Sequence, residues 1–363
     1  MKILFVIPTL GTGGAERVAT ILANHFVKKH VVEILVMEKS AVESYPVDPT
    51  IKINEVGIEV RRGNKFRAVA NFCVTLMRQR NMLLMKIKQY KPDIVISFLP
   101  KADILVYTIY RRNGFRWISS ERNDPMSRNK IERLLLNQIY KKVDVLVCQT
   151  NKISEFYKGK GIKRRTVIRN PIVLSEPEKI ELGISFRYLI AVGRLDRQKN
   201  YEMLIQAFSM VKNEIECPEK LLILGVGPEE EKLKSLIKKL NMSSEIKLLG
   251  RKNNVSDYLR GAEAFVMSSN YEGLPNSLIE AMAVGLPVIS TDFFTGAAAE
   301  LIDESNGFLV PVGEIEKMKI AISKMVTTSQ GNKLSMGDSS LKKVKEMDVT
   351  KIVEEWNYLM DMK

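Results

Sequence analysis

The chain has 363 residues, 45% of them hydrophobic, and a formal net charge of +14 at pH 7. That length exceeds what most single cores organise, so two domains are expected, and no run of about 18 uninterrupted apolar residues is present to cross a bilayer as a helix. Three cysteines, Cys73, Cys148 and Cys217, with no CxxC spacing argue against a disulfide scaffold or a structural zinc and read as core residues in a reducing compartment.

The opening MKILFVIPTL lacks a small-residue cleavage site and reads as a first strand, Ile3–Pro8, rather than a secretory leader. The periodicity then predicts a helix over Gly14–Lys28 and strands over Val32–Met37 and Ile51–Val56. A long helix over Phe66–Gln89, a strand Ile94–Phe98 and a helix Ala102–Arg112 follow. Trp117–Ser119, Asn129–Lys141 and Val143–Cys148 complete a first half of alternating β and α. Alternation with short connectors implies a parallel, doubly wound sheet with helices on both faces. Asn170–Pro171 marks a break, and the segment SEPEKIELGIS carries little signal. The pattern restarts with strand Tyr188–Val192, helix Met203–Val211, strand Leu221–Leu224, helix Glu229–Lys239, strand Ile246–Leu248 and helix Val255–Leu259. Gly307–Val310, the helix Ile315–Met325 and an amphipathic run Val349–Met360 close the chain. The fold class is therefore α/β with two Rossmann-like halves and a cleft expected between them. The boundaries are 1–171 and 172–348, with 349–363 as a terminal helix. Charge separates along the same line: residues 1–172 hold 32 Lys and Arg against 14 Asp and Glu, while residues 173–363 hold 24 against 28. A basic first half suits an anionic partner such as a nucleic acid, an anionic membrane surface or a phosphate-bearing acceptor.

The stretch FVMSSNYEGLPNSLIEAMAVGLPVIST, Phe265–Thr291, carries the clearest chemistry. A short apolar strand ends in a polar break with Gly273 and Pro275, a helix runs to about Val284, and VIS begins another strand. Ligands bind where a parallel strand ends and a helix begins. A helix start favours an anion by roughly 0.3–2 kcal/mol. Two carboxylates, Glu272 and Glu280, bracket that anion site, an arrangement that makes electrostatic sense if they grip hydroxyls. GRLDRQKN, Gly193–Asn200, ends another strand and offers Arg194 and Lys199, whose charge-assisted bonds to a diphosphate are each worth about 1.5–3 kcal/mol. Asp196 and Arg197 in the same string read as solvated. GTGGAER, Gly11–Arg17, is a glycine-rich turn without the full G-x-G-x-x-G, and no Walker A motif occurs.

EGLPNSLIE, GRLDRQK and GGAER together resemble the motifs of glycosyltransferase family 4, and the resemblance spans nearly the whole chain. It implies two facing Rossmann-like domains (the GT-B fold) and a retaining glycosyltransferase using a nucleotide-sugar, most plausibly a UDP-sugar, with a saccharide or lipid-linked saccharide as acceptor. It implies catalytic roles for Glu272, Arg194 and Lys199. Glu272 holds the transferred sugar, and Glu280 the ribose. Gly273, Leu274, Pro275, Asn276 and Ser277 present backbone amides to the diphosphate, which Gly13 and Gly14 also face. The tail helix is expected to return to the first domain. GVGPEEEKL, Gly225–Leu233, reads equally as a packing turn or a turn near the nucleotide, and Arg251 in LLGRKNN is a candidate contact to the base.

SSERNDP, Ser119–Pro125, stands where many relatives carry a histidine that touches the sugar. This chain has only His25 and His30, which read as surface or capping residues. Glu121, Arg122 and Asn123 are the acceptor candidates instead, with a salt-bridged structural loop as the alternative. Asn64–Lys91 mixes apolar residues with Lys and Arg and has no acidic residue. It reads either as a membrane-surface helix or as an ordinary domain helix with a solvated basic face, and Arg61, Arg62, Arg111, Arg112, Arg164 and Arg165 extend the patch. No Asp-x-Asp occurs, so no metal or other cofactor is expected, the nucleotide-sugar being a co-substrate. The expected location is cytoplasmic, peripheral on the inner face of the membrane. The rivals are a UDP-sugar epimerase of similar fold and a basic nucleic-acid-binding protein. The latter lacks an aromatic-rich strand motif or a recognition helix, so no nucleic-acid partner is expected.

Overall fold

The computed structural model describes residues 1–11, 13–39, 45–56, 65–110, 114–174 and 182–362, with the backbone alone for residues 65–73. Arg61, Arg62, Arg111, Arg112, the side chain of Cys73 and most of SEPEKIELGIS lie outside the described residues. The chain divides into two compact units, Met1–Pro171 with Val349–Lys363, and Ile172–Asp348.

In the first unit the elements run β1 (Lys2–Ile7), α1 (Gly14–Phe26), β2 (Val31–Val36), β3 (Lys52–Glu55), α2 (Lys65–Tyr90), β4 (Ile94–Phe98) and α3 (Leu99–Tyr107). They continue with β5 (Arg116–Ser120), α4 (Lys130–Tyr140), β6 (Val145–Cys148), α5 (Asn151–Phe156) and β7 (Arg165–Val167). The seven strands are parallel in the order β3-β2-β1-β4-β5-β6-β7. Such strands are covered on both faces, which is why KILFVI and IVISF read as continuous apolar runs. Ile3 to Ile7 and Ile94 to Phe98 are buried throughout.

The second unit holds β8 (Tyr188–Val192), α6 (Tyr201–Glu214), β9 (Lys220–Leu224), α7 (Glu230–Lys239), β10 (Ile246–Leu248), α8 (Val255–Arg260) and β11 (Ala264–Met267). It continues with α9 (Asn276–Ala283), β12 (Val288–Asp292), α10 (Ala297–Leu301), β13 (Gly307–Pro311), α11 (Ile315–Thr327) and α12 (Gln330–Val344). Its parallel sheet runs β10-β9-β8-β11-β12-β13. In both sheets the winding direction reverses once, between β1 and β4 and between β8 and β11. Open α/β sheets bind ligands at the carboxyl ends of the strands flanking such a reversal.

The last helix, α13 (Val349–Asp361), belongs to the first unit. Its Trp356 is fully buried with its ring centroid 6.4 Å from that of Phe26 on α1. The Arg116 guanidinium donates to the carbonyl of Met360 at 3.0 Å, tying the end of α13 to β5.

Four elements go beyond the periodicity reading. α5 and α10 are too short to show a helical period, and β7 is a charged edge strand of three residues. α12, QGNKLSMGDSSLKKV, has two glycines, three serines and few apolar residues, so its helix rests on packing rather than propensity. A Cβ at Gly337 would lie 2.1 Å from the carbonyl oxygen of Gly285, so α12 meets the turn after α9 backbone to backbone. Buried Lys333 on the same helix pairs with Glu263 at 3.2 Å and Glu219 at 3.6 Å. The third helix also begins earlier than expected, at Leu99, whose φ of 71° puts a non-glycine residue in the left-handed region at the end of β4.

Candidate active site

The reversal between β8 and β11 brings together the two most specific strings of the sequence. The loop 193–200 after β8 and the loop 268–275 after β11 are joined by side chains of both. Asn270 donates its backbone N–H to the Gln198 carbonyl at 2.7 Å and its side-chain amide to the Arg197 carbonyl at 2.8 Å. Ser268 Oγ donates to the Lys199 carbonyl at 2.8 Å. Asn200, at φ 48°, caps α6 through its side chain and also reaches Asn270 Oδ1 at 3.1 Å.

Within this frame Lys199 Nζ donates to Glu272 Oε1 at 2.7 Å. Ser269 Oγ donates to the same oxygen at 2.8 Å, and Gln198 Nε2 donates to Glu272 Oε2 at 3.1 Å. Three donors from two loops thus fix one carboxylate at the carboxyl end of the sheet. A Cβ at Gly193 would fall 2.5 Å from Lys199 Cε, so glycine there leaves the space that the lysine stem occupies. Tyr201 is buried beside it, and its hydroxyl has no partner among the described residues.

Gly273, Leu274 and Pro275 are buried, and Pro275 is the N-cap of α9 with no side-chain cap. Asn276 and Ser277 begin that helix, whose first backbone N–H groups have no intrahelical acceptor. Thr295 Oγ1 donates to the Gly273 carbonyl at 2.9 Å and Thr291 Oγ1 to that of Ser269 at 2.6 Å, so β12 and its following loop brace the turn from behind. Glu280 lies half-buried on α9.

Among the described residues, Arg194 reaches the Lys199–Glu272 pair only through Gln198, to whose Oε1 it donates at 3.5 Å. Its side chain is mostly exposed and pairs with Asp196 at 3.0 Å. Arg197 is exposed as expected, but Asp196 is not simply solvated. Besides its pairing with Arg194, it accepts from the Lys199 backbone N–H at 3.2 Å and so shapes the turn. Arg251 is exposed on the loop after β10, the edge strand, two strands away from the reversal. The GVGPEEEKL turn packs tightly on the loop after β8. A Cβ at Gly227 would lie 2.3 Å from the Leu195 carbonyl oxygen, to which Glu229 also donates its N–H at 2.9 Å. Gly227→Ala is therefore expected to displace the loop that carries Lys199 and to cost about 1–3 kcal/mol, read as a lower urea midpoint with an unchanged slope.

In the first unit, Gly13 is the N-cap of α1 and Gly14 its first residue. A Cβ at Gly13 would strike the Glu16 carboxylate at 2.3 Å, and Thr9 Oγ1 holds that carboxylate at 2.8 Å. The glycine thus admits an acid to the helix start. The loop after β5 corrects one assignment. Glu121 is buried and takes both Arg128 nitrogens at 2.6 and 2.7 Å, the Tyr140 hydroxyl at 3.0 Å, the Tyr157 hydroxyl at 2.9 Å and the Asn123 N–H at 3.2 Å. Its acceptor capacity is filled from within, so Glu121 is a structural anchor and leaves the acceptor set. Burial pushes its carboxyl up, but the Arg128 guanidinium outweighs this and holds it below the usual carboxylate range.

Asp103 on α3 lies at the other end of the same network. It accepts from Ser97 at 2.6 Å and Ser119 at 2.7 Å, with the Tyr140 hydroxyl at 3.2 Å. Burial without a cation pushes its carboxyl up to about 7. Asn123 is exposed, and its backbone N–H turns inward to Glu121. Arg122 is different. Its Nη1 donates to Asn170 Oδ1 at 2.6 Å and its guanidinium lies 5.5 Å from the Phe98 ring centroid, while Nε and Nη2 are buried with no partner among the described residues. Burial pulls it down to about 9 against the pull of Glu121.

Sequence reasoning missed Gln198 and Ser269, which position Glu272, although both lie inside the strings it singled out. It also missed Asp103, whose partners Ser119 and Tyr140 come from other elements, and Arg128, which lies seven residues after Glu121 and just beyond the SSERNDP string.

Two parallel α/β sheets of this topology are the two Rossmann-like domains of the GT-B fold class. Two family models together cover most of the chain: "Glycosyltransferase Family 4" matches residues 12–176 and "Glycosyl transferases group 1" matches residues 176–337. The chain belongs to these family 4-type glycosyltransferases and is an enzyme. It is 28% identical to the Campylobacter jejuni protein named "GalNAc-alpha-(1->4)-GalNAc-alpha-(1->3)-diNAcBac-PP-undecaprenol alpha-1,4-N-acetyl-D-galactosaminyltransferase", over 98% of this chain and 97% of that one. Its fold is shared with sucrose-phosphate synthase from Thermosynechococcus elongatus, at a TM-score of 0.83 and 16% identity over 99% of this chain and 98% of the other. It is likewise shared with HepE of Anabaena in complex with UDP-glucose, at a TM-score of 0.79 and 15% identity over 100% of both chains. The family models and relatives are transferases, and the epimerase reading is not favoured.

Proposed function

We propose that the protein is a retaining glycosyltransferase that moves a hexose or N-acetylhexosamine from a UDP-sugar to a lipid-linked or saccharide acceptor in surface glycan biosynthesis. The observation that carries this reading is the Glu272 carboxylate held by Lys199, Ser269 and Gln198 at the reversal of the second sheet. The site has what such a transfer needs. As the bond from the sugar carbon to the diphosphate breaks, negative charge grows on the leaving phosphate. Lys199 and Arg194 supply positive charge there, and the start of α9 supplies N–H donors, taking the part a metal plays elsewhere. Glu272 accepts from hydroxyls of the transferred sugar and Glu280 from the ribose. The acceptor hydroxyl attacks from the face the diphosphate leaves, and a phosphate oxygen takes its proton.

Arg122 has two buried nitrogens, Nε and Nη2, without a partner among the described residues, and these are offered to an anionic part of the acceptor. The Campylobacter relative, named for a substrate linked through PP to undecaprenol, supports a lipid-linked acceptor. That chemistry in turn supports peripheral attachment to the cytoplasmic face of the membrane.

The test is to offer radiolabelled sugar nucleotides with a lipid extract. Label entering the organic phase from a UDP-sugar is expected; label from none of them would refute the donor. A second check concerns the ribose. Glu280→Gln removes one acceptor of charged character and is expected to weaken UDP-sugar binding by about 1.5–3 kcal/mol in calorimetry; an unchanged affinity would remove Glu280 from the donor site.

A further inference from the structure

The helices over one face of the first sheet present apolar side chains to solvent. α3 packs between α2 and α4, so the three form one layer. α4 turns Leu136, Ile139 and Tyr140 into the core, as a surface helix should. Its opposite side is not polar. Ile131 is 81% exposed, Leu134 63% and Leu135 47%, at the i, i+3, i+4 spacing of a single stripe. α2 repeats the pattern, with Met77 65% and Met85 71% exposed, eight residues apart and so on one side of that helix. Large apolar groups clustered on one outer layer mark an interaction surface, whereas scattered ones need no explanation.

The charge of the same layer selects the partner. Arg78 and Lys88 are exposed on α2 and Lys130 on α4, Arg133 is partly exposed beside them, and Lys101 on α3 is exposed but pairs with Glu38 at 3.0 Å. α2 has no acidic residue, and the acid of α4, Glu132, faces Arg128 at 3.9 Å. Apolar groups interleaved with cations match a bilayer interface carrying anionic headgroups. We propose that α2 and α4 together form a membrane-docking face, in which Ile131, Leu134, Leu135, Met77 and Met85 enter the headgroup–acyl boundary and the cations bind anionic lipid. This deepens the peripheral-membrane reading given above and rests on it. Attachment is then apolar as well as electrostatic, and α4, which the basic-helix pattern of the sequence did not mark, is half of the surface.

The full chain is sedimented with vesicles of phosphatidylglycerol and phosphatidylcholine, and separately with phosphatidylcholine alone. Binding to the anionic vesicles that persists in part at high salt is expected, because apolar insertion is not screened. The variant Ile131→Ser/Leu134→Ser/Leu135→Ser is expected to bind about tenfold more weakly or worse, with an unchanged melting temperature because the positions are exposed. Arg78→Glu/Lys88→Glu is expected to lose the salt-sensitive part. Leu134→Trp should shift its emission to the blue on adding anionic vesicles. If wild type fails to sediment, this proposal and the peripheral reading fall together. If wild type sediments and the serine variant sediments equally, this face is wrong and the peripheral reading stands. If the protein is a dimer that the serine variant dissociates, the face joins two copies and the proposal is overturned.

Discussion

Lys199→Ala is expected to lower sugar transfer by about 10²–10³-fold, the scale of removing one preorganised donor to a developing negative charge, and to do so for every donor the enzyme accepts. The lysine has a double role in the proposed site. It holds Glu272 at 2.7 Å, and its stem lies in the space left by Gly193, from which the ammonium reaches the carboxyl end of the sheet. Truncation removes the cation and also leaves Glu272, which is 8% exposed, without its strongest partner. The loss should fall mainly on kcat, since charge on the leaving diphosphate is greatest in the transition state. Lys199→Arg keeps the charge but not the point geometry, and partial activity is expected from it. A loss confined to one sugar donor would show that Lys199 reads the sugar rather than the diphosphate. Glu272→Gln complements this test: it removes the charge that Lys199 faces, and its effect should vary with the sugar offered.

Arg128→Ala is expected to be the most destabilising change in the first unit, at about 3–5 kcal/mol, because it leaves the Glu121 carboxylate buried without its counter-ion. The pair is almost wholly buried, and the remaining donors, Tyr140 and Tyr157, are neutral. Denaturant midpoints measure it, and pH separates it from a simple packing loss. Glu121 is held below the usual carboxylate range in the folded protein. Its contribution to stability is therefore complete above the unfolded carboxylate value of about 4.3 and is lost as pH falls through the lower folded value. Without Arg128, burial dominates and raises the folded value, so the variant should lose stability as pH rises from about 4 toward neutrality. An Arg128→Ala protein as stable as wild type at neutral pH, with the same acid limb, would return Glu121 to the pool of ligand-binding residues.

Much of the fold was legible because parallel strands covered on both faces give largely apolar runs such as Ile3–Ile7 and Ile94–Phe98, and their alternation with helices implies parallel sheets. The parts that were not legible depend on contacts rather than on period. α12 is a helix because Gly337 meets Gly285 and Lys333 finds buried Glu219 and partly buried Glu263, none of which a local pattern contains. The strings around Lys199 and Glu272 marked the second unit's candidate site, since the residues that form it lie within two short loops. The loop after β5 misled for the converse reason. SSERNDP shows a dense polar string, but Glu121 is neutralised by Arg128 and accepts from two tyrosines, one of them 36 residues away. Chemistry-bearing residue types in a loop do not tell whether a carboxylate faces a ligand or a guanidinium. The outer face of α4 was equally hidden, because an apolar stripe reads the same whether it points inward or outward.

The central claim is that one carboxylate and one lysine, held together where the second sheet reverses, receive a nucleoside diphosphate sugar. Crystals soaked with a UDP-sugar test it most directly. Electron density for the diphosphate on Lys199 and the start of α9, with the sugar against Glu272 and the ribose on Glu280, is the expected result. A ligand bound well away from residues 193–200 and 268–280 would contradict it.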